Sequence, residues 1–259
     1  MNLSVKRHHL ILQQLQALKH VEVPDLCDVL QVSAVTVRKD LKLLEEKGLL
    51  FRTHGGASLE NPYIKDRSVN EKEQLFVAEK AAICAAAAQL IKPQESVIIA
   101  SGTTMVALAR ALPPHLPLTV ITSALNVCLE LLQHPEIEVM QLGGYLRHSS
   151  SSVTGAHAEQ VLAEITCSKL FLGVDGIDVD FGLTTTNTGE AHLNQRMMQT
   201  AQQTIVLADS SKFGKRGFGR ICGVEQVRHI ITDQGIAATD SKRIQDLGIA
   251  LTIVQGTAR

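Results

Sequence analysis

The chain has 259 residues, 45% of them hydrophobic, with 25 Lys and Arg against 26 Asp and Glu and a formal net charge of −1. That length suits one small and one medium domain, and that apolar fraction supports a true core. No run is long and apolar enough to span a bilayer and the N-terminus lacks a signal-peptide pattern, so a cytoplasmic protein with no membrane partner is expected, and the near-neutral charge excludes a polycationic, non-specific nucleic-acid binder.

In chain order, Ile11, Leu15 and Leu18 recur at helical spacing and predict the buried face of a first helix, with His8 and His9 on its surface. Pro24 suits the first turn of a second helix, where its missing amide costs nothing, and Leu26, Val29 and Leu30 give that helix an apolar face. After a turn at Gln31-Val32, Ser33 is placed to cap a third helix whose Val37, Leu41 and Leu44 point inward. Thr36, Arg38, Lys39 and Lys42 fall mostly on the remaining surface, offering cations to phosphates and short polar groups to base edges. Gly48 stops the helix in a left-handed cap. Leu49 to Phe51 then reads as a short strand, and Arg52-Thr53-His54-Gly55-Gly56 as the polar tip and return of a wing. Helix, helix, turn, recognition helix and wing form a winged helix-turn-helix, expected to dock Ser33, Thr36, Arg38, Lys39, Lys42, Arg52 and His54 on duplex DNA.

The segment Val32 to Ala57 resembles the signature of the DeoR family of bacterial transcription regulators. Ser33, Thr36-Val37-Arg38-Lys39-Asp40-Leu41, Gly48, Leu50, Arg52, His54, Gly55 and Gly56 carry the likeness, with Lys39 where the family more often has arginine. An ammonium meets phosphate as a point charge and lacks the two-pronged guanidinium contact.

Charge is divided unevenly. Residues 1–57 hold five Lys and three Arg against three Asp and three Glu, which is +2, and the remainder carries −3. So weakly basic a head binds poorly as a single copy, and a homo-oligomer, dimer or tetramer, is expected to multiply its phosphate contacts.

Residues 1–57 are thus expected to form the DNA-binding domain, 58–70 a linker marked by Asn61-Pro62 and Lys65-Asp66-Arg67, and 71–259 a second domain opening on the alanine-rich helix Ala78 to Leu90. There, apolar runs at 96–100, 118–121, 137–140, 170–174, 204–207 and 229–231 predict strands, and 105–112, 125–133 and 191–203 predict helices. Their alternation argues for an α/β fold with a largely parallel sheet covered on both faces, in which ligands bind beyond the carboxyl ends of the strands.

Polar clusters follow the runs where such a site belongs. Ser101-Gly102-Thr103-Thr104 before a helix is a candidate phosphate cradle. Thr122-Ser123, Gly143-Gly144, Asp175-Gly176-x-Asp178, Thr184-Thr185-Thr186 with Glu190, and Asp209-Ser210-Ser211-Lys212 follow later runs. Anion donors on one side and carboxylates for hydroxyls on the other describe a site for a phosphorylated sugar.

SGTT at 101–104, LGG at 142–144, FLGVDGID at 171–178, GEA at 189–191 and DSSKFG at 209–214 resemble the effector domain of the same family, so the likeness covers essentially the whole chain. It implies a fold similar to ribose phosphate isomerase and a repressor of sugar catabolism, with a narrower likeness to the amino-sugar and hexitol branch. By that analogy Ser101, Gly102, Thr103 and Thr104 hold the phosphate with Lys212 as added cation, Asp175 and Glu190 read hydroxyls, and Thr122, Ser123, Gly143 and Gly176 complete the effector site. Ala100 stands where the family has aspartate, and Ser123 where it has asparagine.

The alternative is a sugar-phosphate isomerase carrying a DNA module. Asp175, Asp178, Glu190 and Lys212 could supply a base, but the glycine-rich, lysine-bearing loop of the isomerase is missing from Val179-Asp180-Phe181-Gly182-Leu183, and a non-enzyme is expected. Five scattered cysteines without a CxxC pair and ten histidines without ligand spacing point to buried free thiols, no metal and no cofactor.

Overall fold

The computed structural model describes residues 3–53, 55–59 and 67–255, in two compact units, Met1–Lys65 and Asp66–Arg259. His54 and most of the expected linker lie outside the described residues, while Ser58 closes the last strand of the first unit and Val69 opens the first helix of the second.

The first unit runs α1 (Leu3–Leu18), β1 (His20–Glu22), α2 (Val23–Leu30), α3 (Ala34–Glu46), β2 (Phe51–Thr53) and β3 (Gly56–Ser58). The Ser33 hydroxyl caps α3 by accepting from the Thr36 amide at 3.4 Å. Gly48 takes φ +69° and the Leu49 amide reaches back to the Leu44 carbonyl at 3.0 Å, a left-handed stop that satisfies the helix end. Ile11, Leu15, Leu26, Val37, Leu41, Leu44 and Leu50 make the core.

Two predicted core residues are exposed instead. Leu18 is the last residue of α1, where the chain turns through left-handed Lys19 into β1. On α2, Leu30 packs rather than Val29, because four residues from Leu26 return closer to its face than three. The wing strand starts at Phe51 rather than Leu49, since the cap takes the Leu49 amide and the core takes Leu50. The wing is three-stranded, in order β1-β3-β2, and β1 went unpredicted because three residues carry no periodicity. Its close approach to β3 demands glycine: a Cβ at Gly56 would stand 2.0 Å from the Val21 carbonyl oxygen.

His9 is exposed as expected, but His8 is half-buried. It and Arg7 reach from α1 to Asp40, buried on α3, at 3.0 Å for His8 Nε2 and at 2.7 and 3.1 Å for the Arg7 guanidinium. Burial pushes the Asp40 carboxyl up, but these hydrogen bonds outweigh it and hold its pKa below the usual carboxylate range.

The second unit continues with α4 (Val69–Glu73), α5 (Val77–Ala88), β4 (Ser96–Ile99), α6 (Thr103–Ala111), β5 (Leu118–Thr122), α7 (Leu125–Leu131), β6 (Ile137–Gln141), β7 (Tyr145–Arg147), β8 (Ser152–Thr154) and α8 (Ala156–Ala163). Then come β9 (Cys167–Gly173), β10 (Gly176–Asp178), β11 (Gly182–Thr185), α9 (Thr188–Thr200), β12 (Ala201–Leu207), β13 (Gly219–Cys222), β14 (His229–Asp233), α10 (Ala238–Asp246) and β15 (Ala250–Val254). Seven strands form one parallel sheet in the order β15-β14-β12-β9-β4-β5-β6. From β4 the chain proceeds outward through β5 and β6, and from β9 outward the other way. Right-handed crossovers in opposite directions put their helices on opposite faces.

Ala201–Gln203, predicted as the end of a helix, opens β12: Ala201 pairs with Cys167 and Gln203 with Lys169, so the ladder to β9 overrides a locally helical pattern. β15 and the small antiparallel strands β7-β8 and β10-β11-β13 were likewise unpredicted. Of the five thiols, Cys84, Cys167 and Cys222 are buried, which pushes them up to about 12, 11 and 12, while Cys27 and Cys128 are half-buried. Among the described residues no helix is long and apolar enough to cross a membrane.

Because the folded pKa of Asp40 lies below its unfolded value of about 4, its stabilisation is complete above that pH and drains away as pH falls through the folded value. Asp40→Asn should therefore cost about 1–3 kcal/mol at pH 7, and its deficit against the wild type should shrink below pH 4, read as unfolding midpoints across a pH series.

Candidate functional site

On the first unit, Val35, Arg38, Lys39 and Lys42 are exposed at helical spacing and form one outward stripe of α3, opposite Val37, Leu41 and Leu44. Val35, 73% exposed, was passed over in the sequence because an apolar residue at a helix start reads as core. Ser33 and Thr36 face each other across the cap, hydroxyl to hydroxyl at 3.1 Å. Arg52 is engaged by α3: its amide donates to Glu45 Oε1 at 3.0 Å and its guanidinium lies 3.8 Å from Glu45 Oε2, tying the wing to the helix.

On the second unit the strand order reverses between β4 and β9, and the crevice at their carboxyl ends gathers most of the candidate residues. Gly102 adopts φ +116°, ψ +165°, a conformation essentially closed to other residues, and its carbonyl accepts from the Met105 and Val106 amides that begin α6. Ser101 to Thr104 are half-buried around it, at the amino end of the helix.

Asp175, just after β9, holds its side chain between two elements. Its Oδ1 accepts from Lys72 Nζ of α4 at 2.9 Å; its Oδ2 accepts from the Thr185 hydroxyl at 3.0 Å and the Thr186 amide at 3.2 Å. Burial pushes this carboxyl up, but Lys72, Lys212 and the hydrogen bonds outweigh it and keep it ionised. The Thr185 hydroxyl also lies 3.3 Å from Glu190 Oε2, so one hydroxyl links the two acids. Glu190 in turn receives Arg147 Nη1 at 3.3 Å and the Ser152 hydroxyl at 3.4 Å.

Lys80 is the group the sequence reading overlooked most. It is buried on α5, and its ammonium donates to the carbonyls of Lys72 at 2.9 Å and Glu73 at 3.2 Å and to the Thr103 hydroxyl at 3.4 Å. Burial lowers its pKa, and Lys212 pushes the same way against Asp209 and Glu73. Lys215 is lowered by burial and by Lys212, against Asp209 and Asp175. One clue was legible: Lys80 stands one turn before Ile83 and Cys84, on their buried face. Lys72, Arg147 and Lys215 gave no such signal.

The remaining candidates sit differently. Thr122 and Ser123 are fully buried after β5: the Thr122 hydroxyl accepts from the Ala124 amide at 3.1 Å, and the Ser123 carbonyl from the Val153 amide at 2.8 Å. Gly143 is exposed beyond β6. Gly176 serves packing, since a Cβ there would stand 2.4 Å from the Lys215 carbonyl oxygen. Asp178 closes a turn, accepting from the Asp180 and Phe181 amides and from Arg216 Nε at 2.7 Å, which removes it from the groups facing the crevice. Met197 fills the core.

Comparison with known proteins gives matches over both units. Residues 7–62 match the DeoR-like helix-turn-helix domain and residues 76–234 the DeoR C terminal sensor domain. A candidate aga operon transcriptional repressor of Escherichia coli O157:H7 is 37% identical over 96% of this chain and 93% of its own. The transcriptional repressor CsqR of Escherichia coli K12 is 33% identical over 97% and 96%, and a lactose phosphotransferase system repressor of Staphylococcus epidermidis 32% over 82% and 85%. Among solved structures, ribose 5-phosphate isomerase A from Neisseria gonorrhoeae overlaps 53% of each chain at 15% identity with a TM-score of 0.40.

The cradle's backbone can be tested by itself. Gly102→Ala forces a Cβ into a glycine-only conformation and should destabilise by about 1–3 kcal/mol. Gly143→Ala, with no positive φ and no atom within 4 Å of the added carbon, should stay within about 0.5 kcal/mol of wild type in the same denaturant titration.

Proposed function

The chain belongs to the DeoR family of transcription regulators, a DNA-binding protein with a C-terminal sensor domain rather than an enzyme, and from that premise we propose that it represses a sugar or amino-sugar catabolic operon and releases its operator when a phosphorylated sugar fills the β4–β9 crevice. One observation carries the ligand class: among the described residues, cations outnumber acids there. Among the described residues Lys72, Lys80, Lys212, Lys215 and Arg147 gather with Asp175, Asp209 and Glu190, five cations against three acids, while Arg67 adds to the field at Lys215 and Glu73, itself paired with Arg110, to that at Lys80. A phosphate monoester brings a charge of about −1.5 to −2, so it offsets that excess and relieves Lys80 and Lys215, whose pKa values burial and the nearby Lys212 depress.

Geometry divides the labour. The Ser101–Thr104 loop, the α6 amides and Lys80 suit the phosphate, with Lys212 as a further cation. Asp175, ionised, and Glu190, linked to it through the Thr185 hydroxyl, suit sugar hydroxyls. Thr122 ends β5, Ser123 follows it and Gly143 lies beyond β6, both strands on the far side of β4 from β9. Names of relatives that specify the aga operon and a lactose phosphotransferase system favour a sugar-linked operon.

For the head, the α3 stripe suits the major groove, with Arg38 for guanine or phosphate, Lys39 and Lys42 for phosphates and Val35 for a thymine methyl. His54 and Arg52 extend the contact to the wing. Two or four copies acting together in the cytoplasm would supply the affinity that one weakly basic head lacks.

Selection of genomic fragments by the full-length protein, followed by gel-shift titration, identifies the operator. Arg38→Ala should weaken that complex by about 1–3 kcal/mol if it reads a base; unchanged affinity removes Arg38 from recognition. A melting screen against hexose 6-phosphates and amino-hexose 6-phosphates should give a hit worth roughly 2.7 kcal/mol at a hundred times its dissociation constant. Lys212→Ala should abolish that shift and the release of DNA while leaving operator affinity intact, and a retained response places the phosphate elsewhere.

A further inference from the structure

The helix α4 is short and poorly anchored by apolar contacts. Five residues cannot sustain a helix alone, and Val69 is its one buried residue. What holds it is polar. The Val69 amide donates to the Ser149 carbonyl at 2.8 Å, and Glu73 accepts from Arg110 at 2.9 Å. Its carboxyl-terminal end is fastened to the crevice itself: Lys72 reaches Asp175, and Lys80 donates to the Lys72 and Glu73 carbonyls.

Both of those fastenings use groups that a sugar phosphate would also use. Asp175 Oδ1 can accept from the Lys72 ammonium or from a sugar hydroxyl. Lys80 has three donor hydrogens, and all three are spoken for, by two α4 carbonyls and by Thr103 in the phosphate loop. An oxyanion at Thr103 would draw that ammonium away from the neutral carbonyls, since a full negative charge attracts it more strongly than a carbonyl dipole does. A sugar phosphate therefore competes for the α4 anchors at both of its ends. Among the described residues α4 is also the first element in sequence after the DNA-binding head.

The geometry points to α4 as a latch: in the free sensor Lys72 occupies Asp175 and Lys80 holds the helix end, and a bound sugar phosphate takes both partners and frees α4. This rests on the sugar-phosphate reading of the crevice and assigns its regulation. Lys72 is a built-in competitor, so ligand affinity is reduced by the cost of opening the latch, and the ligand shifts operator binding through its preference for the unlatched state.

The test uses the full-length protein, its selected operator fragment and glucosamine 6-phosphate as probe, alongside the wider 6-phosphate panel. In wild type, amide hydrogen exchange over residues 69–73 should speed up at least tenfold at saturating probe. Lys72→Met should exchange that fast without probe and bind operator only as tightly as probe-saturated wild type, while Lys72→Arg, which keeps the ion pair, should behave as wild type. Glu73→Gln, which weakens the Arg110 anchor and leaves the Lys72–Asp175 pair and the Lys80 hydrogen bonds in place, should speed exchange by a smaller factor and guards against a folding defect particular to Lys72→Met. The latch is overturned if Lys72→Met keeps wild-type exchange and operator affinity, or if the probe raises the wild-type melting temperature while α4 exchange stays put. A wild type that no 6-phosphate moves, in melting or in exchange, removes the sugar-phosphate reading and the latch together.

Discussion

Where β4 and β9 lie side by side, the chain leaves the two strands in opposite directions, and no crossover helix can cover the space between their carboxyl ends. That gap is the constraint on which the chemistry of the second unit depends. It puts the Ser101–Thr104 turn and the amino end of α6 on one side and Asp175 on the other, from residues more than seventy positions apart. The hairpin β7-β8 extends the same site outward: backbone bonds tie it to the end of β5, and Arg147 and Ser152 carry it to Glu190.

The crevice is charged in a way that favours an occupant. A buried lysine is costly unless its charge is compensated, and here Lys212 repels both Lys80 and Lys215 while Asp209 attracts them. Lys80 meets the cost by donating to three oxygens, two of which belong to α4. Binding and helix anchoring thus draw on one ammonium group, which is the physical basis for coupling a small anion to a segment outside the sheet.

The first unit solves a different problem. Its recognition helix must turn a polar stripe outward while staying fixed on a small core. Asp40 does the fixing: it lies on the inward side of α3, and Arg7 and His8 of α1 converge on it. Ser33 sets the helix start and Gly48 its stop, while Glu45 holds Arg52 and with it the wing. Orientation of the outward residues Val35, Arg38, Lys39 and Lys42 follows from these contacts rather than from their own.

Local grammar determined much of this protein. The Ser33 cap, the Gly48 stop, the inward Val37-Leu41-Leu44 face and the parallel strands at 96, 118, 137 and 229 follow from periodicity and side-chain chemistry within a few residues. The strand-end turns bearing Ser101, Asp175 and Lys212 were legible for the same reason. Tertiary structure alone decided the rest. β1 and the start of β12 exist because a neighbouring strand offers a ladder; Leu18 is exposed because the chain turns away at the end of α1, and Val29 because Leu30 returns closer to the face of Leu26; Gly176 is glycine because the Lys215 backbone crosses it. Lys72 and Asp175 stand 103 residues apart in the chain and 2.9 Å apart in the fold. No window of sequence contains both, since long-range ion pairs leave no periodic trace.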